Sequence, residues 1–126
     1  MRKFELFCLI FYALDALWDK SKSDELGNYL SNANPFLFKD IGSANPEIYE
    51  SFCKNMPDYI PVEGSYTLAI HYIDTLHSSF IANEFQKIGN RKWEQCAREF
   101  LSSPHKEGVL FSFGQDVISD QIPAGN

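Results

Sequence analysis

Basic residues are nearly absent from the middle of this chain. Between residues 40 and 84 the only Lys or Arg is Lys54, set against Asp40, Glu47, Glu50, Asp58, Glu63, Asp74 and Glu84. Those seven acids and one base carry the whole net charge of −6, because elsewhere ten acids meet ten bases. Such a chain repels a phosphate backbone, and no nucleic-acid partner is expected. The one basic cluster, Arg91, Lys92 and Arg98 with Lys87 near Trp93, is interrupted by Glu94 and Glu99. It reads as a solvated helix face.

Cysteine is also scarce. Cys8, Cys53 and Cys96 lie far apart, without a CxxC pair or a His at zinc-finger spacing, so neither a disulfide framework nor a structural zinc site is expected. Buried thiols point to a reducing compartment, and a cytoplasmic location is expected on that ground. The longest apolar run, Leu6 to Leu14, falls far short of the roughly 20 residues that cross a bilayer. Met1-Arg2-Lys3 ahead of it resembles the start of a secretory signal, but Glu5 and Asp15 bracket the run and no clean small-x-small cleavage site follows. No membrane association is expected.

Motifs of catalysis are missing too. There is no GxSxG elbow, no phosphate-cradling glycine loop and no dinucleotide fingerprint among the seven scattered glycines. The carboxylate pairs Asp24-Glu25 and Glu47/Glu50 each fall in the first turn of an expected helix, where the helix dipole favours acids without any catalytic role. His71-x-x-Asp74-x-x-His77 has ligand-type side chains. On one helix, however, that spacing spreads the set over about 120° of surface and lacks the i, i+4 pairing of a zinc helix. No catalytic residue, metal or cofactor is assigned from the sequence. A metal-binding helical enzyme built on His71, Asp74 and His77 is the competing reading, and it needs ligands such as Glu84 from another element.

Helical periodicity is abundant. Residues 3–19 are apolar nearly all round, through Leu6, Leu9, Ile10, Ala13, Leu14 and Leu17 with Phe4, Phe7, Phe11 and Trp18 in adjoining rows. Only a stripe through Glu5, Tyr12, Asp15 and Asp19 is polar, so this helix is expected near the centre of a bundle. Ser23 is a suitable N-cap for a helix over 24–33, which Gly27 weakens by roughly 1 kcal/mol relative to Ala. Ala33-Asn34-Pro35 and Ala44-Asn45-Pro46 each place a capping residue before a proline. The first opens a short turn, Phe36 to Ile41, and the second a helix over 46–56. Tyr66, Ala69, Ile70, Ile73, Leu76, His77 and Phe80 share one face, and Ile81, Phe85 and Ile88 a rotated one, so a kink or a break is expected near Ser78-Ser79. Gly89 stops that stretch. Asn90 is expected to cap a last helix through Trp93, Cys96, Ala97, Phe100 and Leu101, which Pro104 ends.

These elements predict an all-α fold, an irregular bundle of about five helices. A short extended strip at Val109–Phe113 completes a single domain over residues 1–114, and a flexible tail is expected over 115–126. Leu9, Ile10, Leu14, Ile70, Ile73, Phe100 and Leu101 are the expected core.

For function, the acidic window is the feature that remains. An electronegative face attracts a basic protein, and interfaces place aromatic anchors inside charged rims. The expected contacts are Asp40, Glu47, Glu50, Asp58, Tyr59 and Glu63, with exposed aromatics drawn from Tyr49, Tyr59 or Tyr72. The sequence therefore reads as a small acidic protein-binding domain, of the kind that serves as inhibitor or immunity protein for a basic partner. That analogy rests on charge alone. A structural subunit, its aromatic surplus lying in an oligomer interface, is a further alternative.

Overall fold

A helix without a polar face is stable in water only if other chain segments cover it on every side. The first helix, α1 (Lys3–Ser21), meets that demand: each residue from Leu6 to Leu14 is buried. The structure, a computed structural model, describes residues 1–34, 45–54 and 56–102. Within them the chain forms α1, α2 (Asp24–Ala33), α3 (Pro46–Cys53), α4 (Ser65–Asp74), α5 (Ser79–Gln86) and α6 (Asn90–Ser102), with no strand among the described residues. Helices α2, α3, α4 and α5 all touch α1. Helix α6 reaches it through Phe100, whose ring stands edge-on to Tyr12 at 5.7 Å. Tyr12 is therefore core, which narrows the expected polar stripe of α1 to Glu5, Asp15 and Asp19.

Local chemistry sets the helix ends. The Arg2 backbone N–H donates to the Glu5 carboxylate at 2.8 Å and opens α1. Lys22, in the left-handed region at φ 54°, closes it, its N–H donating to the Trp18 carbonyl at 2.6 Å. Gly27 has a packing reason to be small, because a Cβ there would stand 3.2 Å from Trp18 Nε1. Asn45 caps α3 by accepting from Glu47 N–H at 3.1 Å, with Pro46 in the first turn. That helix ends at Cys53, short of the expected 56.

The long periodic stretch is two helices, as its rotated face implied. Helix α4 stops at Asp74, His77 takes φ 55°, and Ser78 caps α5 by accepting from Ile81 N–H at 3.2 Å. The Ser78 hydroxyl also donates to Glu25 at the start of α2. At the far end of α5, Tyr66 from α4 clasps the turn: its hydroxyl donates to the Phe85 carbonyl at 2.7 Å and accepts from Gly89 N–H at 3.1 Å. Gly89, at φ 82°, turns the chain into α6. Asn90 is the first residue of α6, and its side chain donates to Glu94. Asn90 therefore lies inside the helix and Gly89 precedes it, with the first helical bond running from Trp93 N–H to the Gly89 carbonyl at 3.0 Å.

The core collects most of the expected residues. Leu9, Ile10, Leu14, Ile73 and Phe100 are buried, whereas Ile70 and Leu101 are half-buried at its margin. Polar groups inside are satisfied: Trp93 Nε1 donates to Ser65 Oγ at 2.8 Å, and Ser65 in turn donates to the Val62 carbonyl at 2.7 Å. The Phe36–Ile41 turn, the Val109–Phe113 strip and the 115–126 tail lie outside the described residues.

Two substitutions test this account. Ile73→Ala removes a side chain that is 1% exposed and is expected to cost about 2 to 5 kcal/mol in urea unfolding. A change within error of zero would take Ile73 out of the core. Ser65→Ala strands the Trp93 N–H and is expected to cost about 1 to 3 kcal/mol, against less than that for Ser102→Ala on the exposed end of α6.

Candidate functional site

Between α3 and α4 the chain runs through Pro57, Asp58, Tyr59, Ile60 and Pro61, where the prolines exclude helix and favour extended backbone. Side chains alternate in such a segment. Ile60 points inward and is fully buried, while its neighbour Tyr59 is 71% exposed. The backbone is held by a reciprocal pair of hydrogen bonds: the Met1 ammonium donates to the Ile60 carbonyl at 2.6 Å, and Ile60 N–H donates to the Met1 carbonyl at 2.8 Å. Tyr59 is the one large apolar side chain standing exposed among the described residues. It is presented by a segment tied to the core on its inner side.

Carboxylates flank it. Asp58, almost wholly exposed, meets Lys3 Nζ at 3.3 Å. Glu63 accepts from Arg98 on α6 at 2.6 Å, and the other arm of Arg98 lies 3.6 Å from Glu94. Its own backbone N–H and then the Arg98 guanidinium hold the Glu63 carboxyl below the usual carboxylate range. Two acids of the loop thus carry cations borrowed from outside the acidic window.

The other expected contacts occupy different places. Glu47 and Glu50 are exposed on α3 and form no ion pair among the described residues. Between them, half-buried Tyr49 turns inward, its ring edge-on to Phe4 at 5.7 Å and to Phe7 at 5.1 Å. Burial, followed by its hydrogen bond with Cys53, pushes the Tyr49 phenol well up. Helix α3 and the Asp58–Ile60 segment therefore both gather at the amino-terminal end of α1, one on Phe4 and Phe7 and the other on Met1 and Lys3. Glu63 extends the acidic set toward α6. Asp40 lies outside the described residues.

Tyr72 does not supply an exposed aromatic as expected. It is buried, edge-on to Phe52 at 4.9 Å, and its hydroxyl pairs with that of Tyr29 at 2.8 Å. Burial raises both phenols. The sequence signal that separates the tyrosines is their flanks, because Tyr59 sits between prolines whereas Tyr72 adjoins Ile73 on a continuous helix.

His71 and Asp74 are exposed on the last turns of α4, while His77 is exposed in the following turn with a left-handed backbone. The helical arrangement assumed for this trio is broken before His77. Glu84 is engaged with Lys87 at 2.6 Å. Among the described residues no group of three or more His, Cys, Asp or Glu side chains is disposed to hold a metal ion. Cys8 and Cys96 are buried, Cys53 is half-buried, and none of the three is in a disulfide. Burial pushes the Cys96 thiol up to about 11, the opposite of an activated nucleophile. Among the described residues no helix is long and apolar enough to cross a membrane.

No protein-family model, curated protein or solved structure matches this chain.

The Glu63–Arg98 pair makes a direct electrostatic prediction. In an NMR titration the Glu63 carboxyl is expected to have its midpoint below that of an ordinary glutamate, and Arg98→Gln to raise it part of the way back. The stabilising contribution is present above the unfolded pKa and is lost as pH falls through the lowered folded one. An unchanged midpoint in Arg98→Gln would remove the guanidinium as a cause.

Proposed function

We propose that this chain is a protein-docking domain whose partner is a basic protein, with Tyr59 as the anchor and Glu47, Glu50, Asp58 and Glu63 as the surrounding acidic contacts. The observation that carries the reading is Tyr59 itself, 71% exposed beside buried Ile60 and between two prolines. Aromatic anchors dominate binding energy at interfaces, and a segment already held in place loses little conformational freedom on docking. Acids around the anchor steer a cationic partner and restrict which partners fit. Asp40 belongs to the same set by its place in the acidic window. Inhibition of, or immunity against, a basic enzyme is the biological role to which this reading extends.

A structural role in a self-assembled oligomer draws less support. It calls for a broad exposed apolar patch, and among the described residues Tyr59 stands alone in that respect.

The test is quantitative binding to a partner isolated from the native cell by photo-crosslinking from position 59. Tyr59→Ala is expected to weaken affinity about tenfold or more, chiefly through faster dissociation. Reversal of Glu47, Glu50 and Glu63 to Lys is expected to slow association and flatten its dependence on salt, with the helical fold retained in circular dichroism. Equal rates and equal salt slopes for the folded variants would refute the docking role.

A further inference from the structure

A second feature lies between α3 and α4, which enclose a cavity of about 270 Å³. Its walls are largely apolar, formed by Phe52, Met56, Leu68 and Tyr72 with Ser51 and Thr75 beside them, and its basic lining residues are Lys54 and His71. The polar atom of Tyr72 is already engaged, since its hydroxyl pairs with Tyr29 at 2.8 Å. Thr75 Oγ1 donates to the Tyr72 carbonyl at 2.6 Å, so a ligand entering here meets mainly ring and aliphatic surface.

The charge of this cavity is opposite to that of its surroundings. Lys54 is the only Lys or Arg between residues 40 and 84, in a window with seven acids, yet no acid among the described residues lines the cavity. Both Lys54 and His71 are exposed, and neither forms an ion pair among the described residues. Each also lies near a helix carboxyl end, where a cation is locally favoured. That preference accounts for a cation at each helix end separately. It does not call for the two to share one largely apolar cavity.

We propose that the α3–α4 cavity binds a small amphipathic carboxylate, its apolar body among Phe52, Met56, Leu68 and Tyr72 and its carboxylate between Lys54 and His71. The volume sits just below the roughly 300 Å³ at which drug-sized sites begin, so it suits a single ring or a short chain. A carboxylate is the complementary head group because the ammonium of Lys54 and the ring N–H of His71 both donate. This site is independent of the docking role of Tyr59.

The experiment uses the full chain and phenylacetate as probe, with benzylamine as the matched cation and phenylacetamide as the neutral analogue. Phenylacetate is expected to shift the methyl resonances of Met56 and Leu68 saturably in NMR. Benzylamine is expected to leave them in place, and phenylacetamide to bind at least threefold more weakly than phenylacetate. Lys54→Gln combined with His71→Gln, both at exposed positions, is expected to weaken phenylacetate about tenfold while the apolar core resonances stay folded. The proposal is overturned if phenylacetate shifts neither methyl, if benzylamine binds equally well, or if the double variant retains wild-type affinity. Shifts at Met56 and Leu68 that follow protein concentration instead of added phenylacetate would assign the cavity to a second copy of the chain and overturn it as well.

Discussion

The rest of the structure depends on covering α1. Nine consecutive residues, Leu6 to Leu14, are buried, so this helix has no side on which water is tolerated over that stretch. The remaining helices supply the cover. Phe7 receives Phe52 and Tyr49 from α3, Tyr12 receives Phe100 from α6, and α2, α4 and α5 close the other sides. Large aromatic side chains suit this task because each removes much surface from water, and edge-to-face rings such as Phe52 on Tyr72 at 4.9 Å fit irregular gaps between short helices.

Aromatic groups also bring polar atoms inside, and the fold places a partner for each. Tyr66 uses its hydroxyl both as donor and as acceptor to hold the turn between α5 and α6, Trp93 leans on Ser65, and Tyr29 pairs with Tyr72. No buried side-chain N or O among the described residues lacks a hydrogen-bond partner. These bonds join segments distant in sequence. A shift of one helix along its neighbour would strand several of them, so they favour one packing over alternatives of similar apolar burial.

The charge of the chain changes meaning on folding. Along the sequence, residues 40 to 84 are almost purely acidic; in space, Lys3 comes to Asp58, Arg98 to Glu63, and Lys87 to Glu84. Exposed pairs of this kind add little stability. Their effect is to leave Glu47, Glu50 and Asp74 as the acids of the window without an ion pair among the described residues, with Tyr59 exposed in the loop beyond α3. Of the proposed docking contacts, Glu47 and Glu50 thus stand without an ion pair among the described residues, whereas Asp58 and Glu63 already hold Lys3 and Arg98.

Local patterns were enough to determine the all-α class, the central place of α1, the Ser23 and Asn45 caps, the stop at Gly89 and the break at Ser78. Each of these follows from side-chain periodicity or from hydrogen bonds within a few residues. The flanks of Tyr59 and Tyr72 hint at which is exposed, but tertiary structure decided it, by packing Phe52 and Tyr29 against Tyr72 and leaving Tyr59 uncovered. It decided that Tyr12 is core, since Phe100 lies far along the chain, and that His77 leaves the helix of His71. It also decided that Asp58 and Glu63 meet the distant cations Lys3 and Arg98 and that Lys54 and His71 share a cavity. Charges and rings act through space at a few ångströms, and sequence order does not encode which distant residues come that close.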